Sequence, residues 1–370
     1  MRPYIPQNLP ISEIDWERHI PFIGKVNRSL AYYDGILHGI ANPALLLSPL
    51  TTQEAVLSSK IEGTQATLGD VLKFEAGESP TKEERRIDIQ EITNYRRALF
   101  TAEKMLKTKP FHLNFMKELH AIILDSVRGS NKSPGEFRKT QNWIGKPGTS
   151  VEHAEYVPPS PEVMMKCLSD WEKYYHFDRP DPVVQLAILH AQFELVHPFL
   201  DGNGRVGRMI IPLFLFEKKI LSRPMFYLSK YLEAHRDEYV SRLKTLSERP
   251  PQWNEWIGFF LRGVDEQARE NADTVQKILA LYDNLKEQCI RLTRSQFAVP
   301  LLDQIFKKPI FQSSHLFGKK NLPSKPMTST LLAKLREAGI LKVLSEGSGR
   351  RAQVMVLPEL INITEGKKIF

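Results

Sequence analysis

Residues 197–208 read His197-Pro198-Phe199-Leu200-Asp201-Gly202-Asn203-Gly204-Arg205-Val206-Gly207-Arg208, and the reading of this stretch decides the rest. Residues 183–196 ahead of it are apolar enough for a buried helix. Residues 209–221 behind it read the same way, with Pro212 expected near the first turn or at a bend. The Asp-Gly-Asn-Gly turn therefore joins two core helices and frees backbone N–H groups at the start of the second. Such a start offers unpaired donors and the positive end of the helix dipole, which together make an anion site. Arg205 and Arg208 lie one turn apart, so both guanidinium groups can face the same anion. Asp201 would repel a bare phosphate, so a divalent cation such as Mg²⁺ is expected between them; hard cations are held by one or two carboxylates plus phosphate oxygens. His197 precedes the turn, placed to take a proton from a hydroxyl attacking that phosphate. These residues describe a nucleotide phosphate cradle with a general base.

The order His-Pro-Phe-x-Asp-Gly-Asn-Gly-Arg-x-x-Arg resembles the active-site signature of the Fic family at every defining position. The resemblance implies a mainly α-helical core that transfers AMP from ATP to a Ser, Thr or Tyr hydroxyl of a target protein or of itself. It implies ATP as substrate and Mg²⁺ as cofactor. His197 would be the catalytic base and Asp201 the metal ligand. Gly202, Asn203 and Gly204 would hold phosphate oxygens, the glycines through turn amides, and Arg205 and Arg208 would bind the outer phosphates. Phe199 would point inward as an anchor. Upstream, Thr51-Thr52-Gln53-Glu54 has the pattern of a capping box opening a helix that ends at Glu62, with Gly63 as its C-cap. A carboxylate at a helix's negative end is unfavourable by about 0.3–1 kcal/mol, which invites a search for a partner. Ser58-x-x-x-Glu62-Gly63 resembles the inhibitory motif of some Fic proteins, in which the glutamate pairs with the second motif arginine, here Arg208, and blocks the γ-phosphate. In some members the same glutamate supports removal of AMP.

The remaining stretches position these. Residues 134–145 resemble the segment preceding the Fic flap, and residues 151–159 fit a short β-hairpin, or else an ordinary surface loop. As a flap, this stretch would offer an edge to an extended target segment. Residues 228–246 read as a helix on which Tyr231 and Tyr239 either flank an adenine base or pack the core. Residues 253–260 and 267–292 read as two further helices. His112 and His120 show no metal-ligand spacing and read as structural or exposed.

The net charge of +8 is uneven: residues 291–370 hold 14 Lys and Arg against 5 Asp and Glu, leaving the rest of the chain close to neutral. In that basic stretch, helices at 300–306, 312–317 and 327–338 and strands at 341–344 and 353–357 resemble a winged helix. Lys325, Lys334 and Arg336 would lie on or beside its third helix, and Arg350 and Arg351 on its wing. Such modules meet DNA phosphates or dock proteins. The expected architecture is an N-terminal helical region over 1–108 with its inhibitory helix at about 51–63. A Fic core and following helices then span 109–290, and a winged-helix module of mixed α and β structure spans 291–370. A DNA-binding regulator whose core only senses nucleotide is the competing function, against which an intact His197 argues.

With 42% apolar residues the chain can fill globular cores. Its start has no apolar signal region, no apolar run approaches membrane-spanning length, and Cys167 and Cys289 have no metal spacing. A cytoplasmic protein without a membrane partner is expected; homo-oligomerisation is left open.

Overall fold

The structure, a computed structural model, describes residues 3–145, 150–347 and 352–370. The first helices are α1 (Trp16–His38), α2 (Pro43–Leu46), α3 (Ser48–Ile61), α4 (Leu68–Glu75), α5 (Glu83–Leu106) and α6 (Leu113–Ile123). There follow α7 (Pro161–His176), α8 (Pro182–Val196), α9 (Asn203–Glu217), α10 (Ser229–Ala234), α11 (Arg236–Thr245) and α12 (Trp253–Thr293). The chain closes with α13 (Ala298–Lys307), β1 (Ile310–Gln312), α14 (Lys325–Glu337), β2 (Lys342–Ser345), β3 (Val354–Val356) and α15 (Pro358–Glu365). The protein is mainly helical. It forms two compact units, Met1–Asp34 with Leu57–Gly63 and Thr93–Arg269, and Gly35–Val56 with Thr64–Ile92 and Glu270–Phe370.

The first unit is built around α8. Pro182 has no N–H to lose at the helix start, and Asp181 accepts hydrogen bonds from the Val183 and Val184 N–H groups (2.9 Å each). From Val183 to Val196 every residue except Glu194 is buried, as expected of a helix apolar on all sides. The indole N–H groups of Trp171 and Trp256 donate to the Leu189 and Ala187 carbonyls at 2.8 Å, fastening α7 and α12 to it. Helix α9 is buried from Arg205 to Leu215, so both signature arginines are carried on a core helix.

In the second unit the antiparallel order β1-β3-β2 pairs Ile310 with Val356 and Val343 with Met355. Leu68, Leu72 and Ala76 of the α4 segment pack with Ile310, Val354, Val356 and Ile361. Helix α4 is opened by a reciprocal cap, in which the Asp70 N–H donates to Thr67 Oγ1 and the Thr67 N–H to the Asp70 carboxylate.

Several expected elements are redrawn. Helix α3 begins at Ser48, and the Thr51 and Thr52 hydroxyls donate back to the Leu47 and Ser48 carbonyls, a mid-helix pattern rather than a cap. The helix expected over 228–246 breaks at His235, and the two expected over 253–292 are one. Residues 312–317 form a 3₁₀ turn at Ser313–Leu316 following β1, and neither β1 nor α15 was anticipated. Among the described residues, the stretch expected as a hairpin shows a 3₁₀ turn at Val151–His153 and an antiparallel bridge between Ile144 and Tyr156. Arg350 and Arg351 lie outside the described residues.

Candidate active site

Helix α8 ends at His197, whose backbone turns left-handed (φ 48°, ψ 62°). A non-glycine residue held there needs support from its surroundings. Arg138 supplies it. Its buried guanidinium donates to the His197 carbonyl at 2.9 Å, to Pro159 at 2.5 Å and to Val196 at 3.4 Å, and its own N–H donates to Pro198 at 2.9 Å. The orphan carbonyls at the negative end of α8 thus meet a fixed cation.

Past His197 the turn is locked from within. Phe199 is buried and stacks on the His120 ring, with centroids 3.8 Å apart. The Gly135 N–H donates to His120 Nδ1 at 2.9 Å, so the proton of the neutral ring is on Nε2, which donates to the Asp201 carbonyl at 2.9 Å. Burial holds the His120 pKa down to about 4, which keeps the ring neutral and that tautomer in place. Asn203 closes the turn: its Oδ1 accepts from the Phe199 N–H and its Nδ2 donates to the Phe199 carbonyl, both at 2.8 Å. The amide thus staples the turn, with one Nδ2 N–H and the oxygen engaged on Phe199. Gly202, left-handed at φ 78°, then begins α9, whose first-turn amides have no partner within the helix.

An anion already lies over that first turn. A Cβ on Gly204 would run into Glu62 Oε1, so the carboxylate rests against the helix N-terminus. Arg208 donates from Nη2 to Glu62 Oε1 at 2.6 Å and to the Ser58 carbonyl at 2.8 Å, and from Nε to Ser58 Oγ at 2.9 Å. Gly63 follows at φ 103°, ending α3 so that Glu62 can turn toward the arginine. Burial opposes ionisation of Glu62, but the charge and hydrogen bond of Arg208, helped by Arg205 and His197, hold its carboxyl below the ordinary range. Burial likewise opposes the charge of Arg208, and the facing Glu62, with Tyr239 and Glu194, pushes its pKa above the usual value.

Arg205 is nearly buried, with Nη2 at 3.4 Å from Asp201 Oδ1, and the Asp201 side chain is 40% exposed. One accessible carboxylate suits a cation held mostly by phosphate oxygens and water; among the described residues no cluster of three His, Cys, Asp or Glu could hold a metal alone. Half-buried His197 places Nδ1 3.3 Å from the Glu194 carbonyl, which can only accept, so Nδ1 carries the proton and Nε2 is the free base. Burial lowers its pKa to about 4, with the Glu194 carbonyl and Glu62 pulling upward.

The structure gathers Ser58, Glu62, His197, Asp201, Gly202, Gly204, Arg205 and Arg208 around one helix start. Of the expected adenine pair, Tyr239 lies beside Arg208, whereas Tyr231 packs apart from the site. Tyr239 is buried, with its hydroxyl 2.9 Å from His190 Nε2 and its ring beside Trp256, while Tyr231 is buried against Phe259 and Gly263. Both rings are packed in the core, and the Tyr239 hydroxyl also meets Arg208. The sequence reading gave no specific role to Arg138 or His120; their pairing with buried carbonyls leaves no periodic mark.

Residues 20–104 match the Fic/DOC family N-terminal region and residues 110–215 the Fic/DOC family, together just over half of the chain. A probable protein adenylyltransferase of Aquifex aeolicus, aq_aa38, is 28% identical over 52% of this chain and 56% of its own length. The protein adenylyltransferase Fic of Drosophila willistoni is 33% identical over 45% of this chain and 28% of its own length. The matches thus span well under two thirds of these relatives. Among solved structures, a Fic family protein from Desulfovibrio desulfuricans G20 superposes with a TM-score of 0.60 at 17% identity, covering 96% of this chain and 98% of that one. Fic-1 from C. elegans gives 0.52 at 22% identity over 71% and 75%. These two likenesses are of fold.

Proposed function

The chain belongs to the Fic/DOC family, and from that premise we propose a protein adenylyltransferase moving AMP from ATP to a Ser, Thr or Tyr hydroxyl of a target protein or of itself. The observation that carries this reading is the Glu62 carboxylate lying on Arg208 at the start of α9, because a site that holds one anion there has the donors to hold a phosphate. His197 Nε2 takes the proton of the attacking hydroxyl. The hydroxyl oxygen bonds to the α-phosphorus as the bond to the β-phosphate oxygen breaks and pyrophosphate leaves. First-turn amides of α9 with Arg205 and Arg208 hold the phosphates, and positioning with charge neutralisation supplies most of the rate. Asp201 would hold Mg²⁺, which when bound offsets charge on the phosphates. Glu62 is the inhibitor: with its carboxylate in place, Arg208 is closed to the outer phosphate. In the alternative, AMP-removing reading, water attacks the phosphorus of a modified target with Glu62 in support, the bond to the target oxygen breaks, and AMP and the free hydroxyl are released.

Wild type, His197→Ala and Glu62→Gly are incubated with α-labelled ATP and Mg²⁺, and label on protein is read by intact mass. Glu62→Gly should exceed wild type at least about tenfold, the effect of one lost charge-assisted contact of about 1.5–3 kcal/mol. His197→Ala should transfer nothing while still binding ATP. Full transfer by that variant would overturn the assignment.

One observation favours the second reading. From Asp303 to Glu337 the chain carries no other carboxylate but seven Lys and Arg. On a winged-helix reading of 291–370, Lys325, Lys334 and Arg336 meet DNA phosphates from α14. A salt-dependent mobility shift on duplex DNA, without transfer of AMP label, would favour a DNA-binding regulator.

A further inference from the structure

Glu194 has no part in the chemistry above, yet it faces the centre of the cradle. It is the one residue between Val183 and Val196 that is not fully buried, and its side chain is directed at α9. A Cβ on Gly207 would run into Glu194 Oε1 and approach its Cδ to 3.2 Å, so the carboxyl lies against the backbone immediately before Arg208. That oxygen is buried and has no hydrogen-bond partner among the described residues. The groups facing it are Arg208 on α9, Glu62 beyond α3 and Tyr239 on α11; of the nearby histidines, His190 is bonded to the Gly207 carbonyl and His197 to the Glu194 backbone carbonyl. Arg208 therefore lies within reach of two carboxylates, one fixed in the core and one on the inhibitory segment.

Two carboxylates sharing one guanidinium in a half-dry site cannot both ionise freely. Burial first, and the like charge of Glu62 second, push the Glu194 carboxyl up to about 7 against the pull of Arg208. We propose that Glu194 is a positioning residue of the cradle that exchanges a proton with solvent: it is a neutral acid while an anion occupies Arg208 and an ionised partner of Arg208 when the anion leaves. In the neutral state it supports the guanidinium without competing for it; in the ionised state it keeps a buried cation from standing alone. The proton is taken up from water as the anion arrives and returned as it departs. The part concerning nucleotide rests on the function proposed above; the part concerning Glu62 does not.

Carbon-13 carboxyl NMR of Glu-labelled full-length chain tests it, with Glu194→Gln identifying the resonance. Wild type should titrate Glu194 near neutrality and Glu62→Gly at distinctly lower pH. Equal midpoints in the two proteins overturn the proposal, whatever the chain does with ATP. In the Glu62→Gly protein, calorimetry with a non-hydrolysable ATP analogue in two buffers of different ionisation enthalpy should then show proton uptake between its lowered midpoint and neutral pH. Affinity should fall as pH rises through that window, by up to about tenfold per pH unit for one linked proton. In Glu62→Gly/Glu194→Gln that uptake should vanish while binding persists, a change a purely structural role would not produce. Unaltered uptake in the double variant counts against Glu194. If Glu62→Gly fails to bind the analogue at any pH, the nucleotide reading falls while the NMR comparison still decides the role of Glu194.

Discussion

At the scale of single residues, the turn is held by groups that never touch the chemistry. Replacing His120 by Phe keeps a ring against Phe199 but leaves the Gly135 N–H and the Asp201 carbonyl without their partner. Two buried unmade bonds should cost about 2–4 kcal/mol, read as a fall in the urea midpoint at constant slope. An unchanged midpoint would mean the ring is there only for packing. Gly204→Ala separates the anion site from the inhibitory role proposed for Glu62: the new methyl occupies the place of the Glu62 carboxylate. It should therefore abolish nucleotide binding and fail to activate, whereas activation comparable to Glu62→Gly would show that the phosphate sits elsewhere. Much of this site was legible, since His197, Asp201, Arg205 and Arg208 need only their spacing to be found. The stapling role of Asn203 was not legible, because a side-chain amide suits phosphate and a backbone staple equally well, and only the fold shows the bonds to Phe199.

At the scale of elements, α12 shows why a helix was cut in the reading and not in the molecule. Gly263 interrupts an otherwise regular stretch, and glycine costs a helix interior about 1 kcal/mol relative to alanine. Here the glycine is required by packing, because a Cβ would come within 2.6 Å of the Tyr231 ring. The two effects oppose each other in Gly263→Ala. Gained propensity of about 1 kcal/mol meets an overpacking cost of about 1–3 kcal/mol, so net destabilisation is expected. A rise in melting temperature would mean that Tyr231 yields without cost. The start of α3 was misread for a related reason: threonines near a glutamate suit a cap or a helix interior, and the packing of 48–50 chose the interior.

At the scale of the whole molecule, pH reports on buried histidines. His120 and His190 are fully buried and held down to about 4 and about 3. Both folded values lie below the unfolded one of about 6.5, so below that pH the unfolded chain takes up protons that the native state refuses. Stability is therefore full above pH 6.5 and falls with acidification toward pH 4, by about 1.4 kcal/mol per pH unit for each histidine. A flat urea midpoint between pH 7 and 5 would contradict this. Glu62 titrates in a lower window. Its pairing, depressed relative to the unfolded carboxylate, is complete at neutral pH and lost only as pH falls through the lowered value, so inhibition should outlast mild acid. The basic excess beyond residue 291 makes its own prediction: if the second unit meets DNA, Lys334→Ala should weaken binding on all sequences alike and reduce the salt slope by about 1. Net charge was readable from composition. The two units, each assembled from three separated stretches, were not, because complementarity between distant stretches has no period.

The glutamate that sits on Arg208 belongs to the same chain as the arginine. On the proposed inhibition it would be a tethered competitor, present at an effective concentration fixed by the length and stiffness of its connection rather than by how much protein is in the tube. Dilution cannot wash it away. Activity per molecule should stay constant from micromolar to nanomolar protein, and the nucleotide level needed for half-maximal transfer should mirror how seldom the carboxylate lets go.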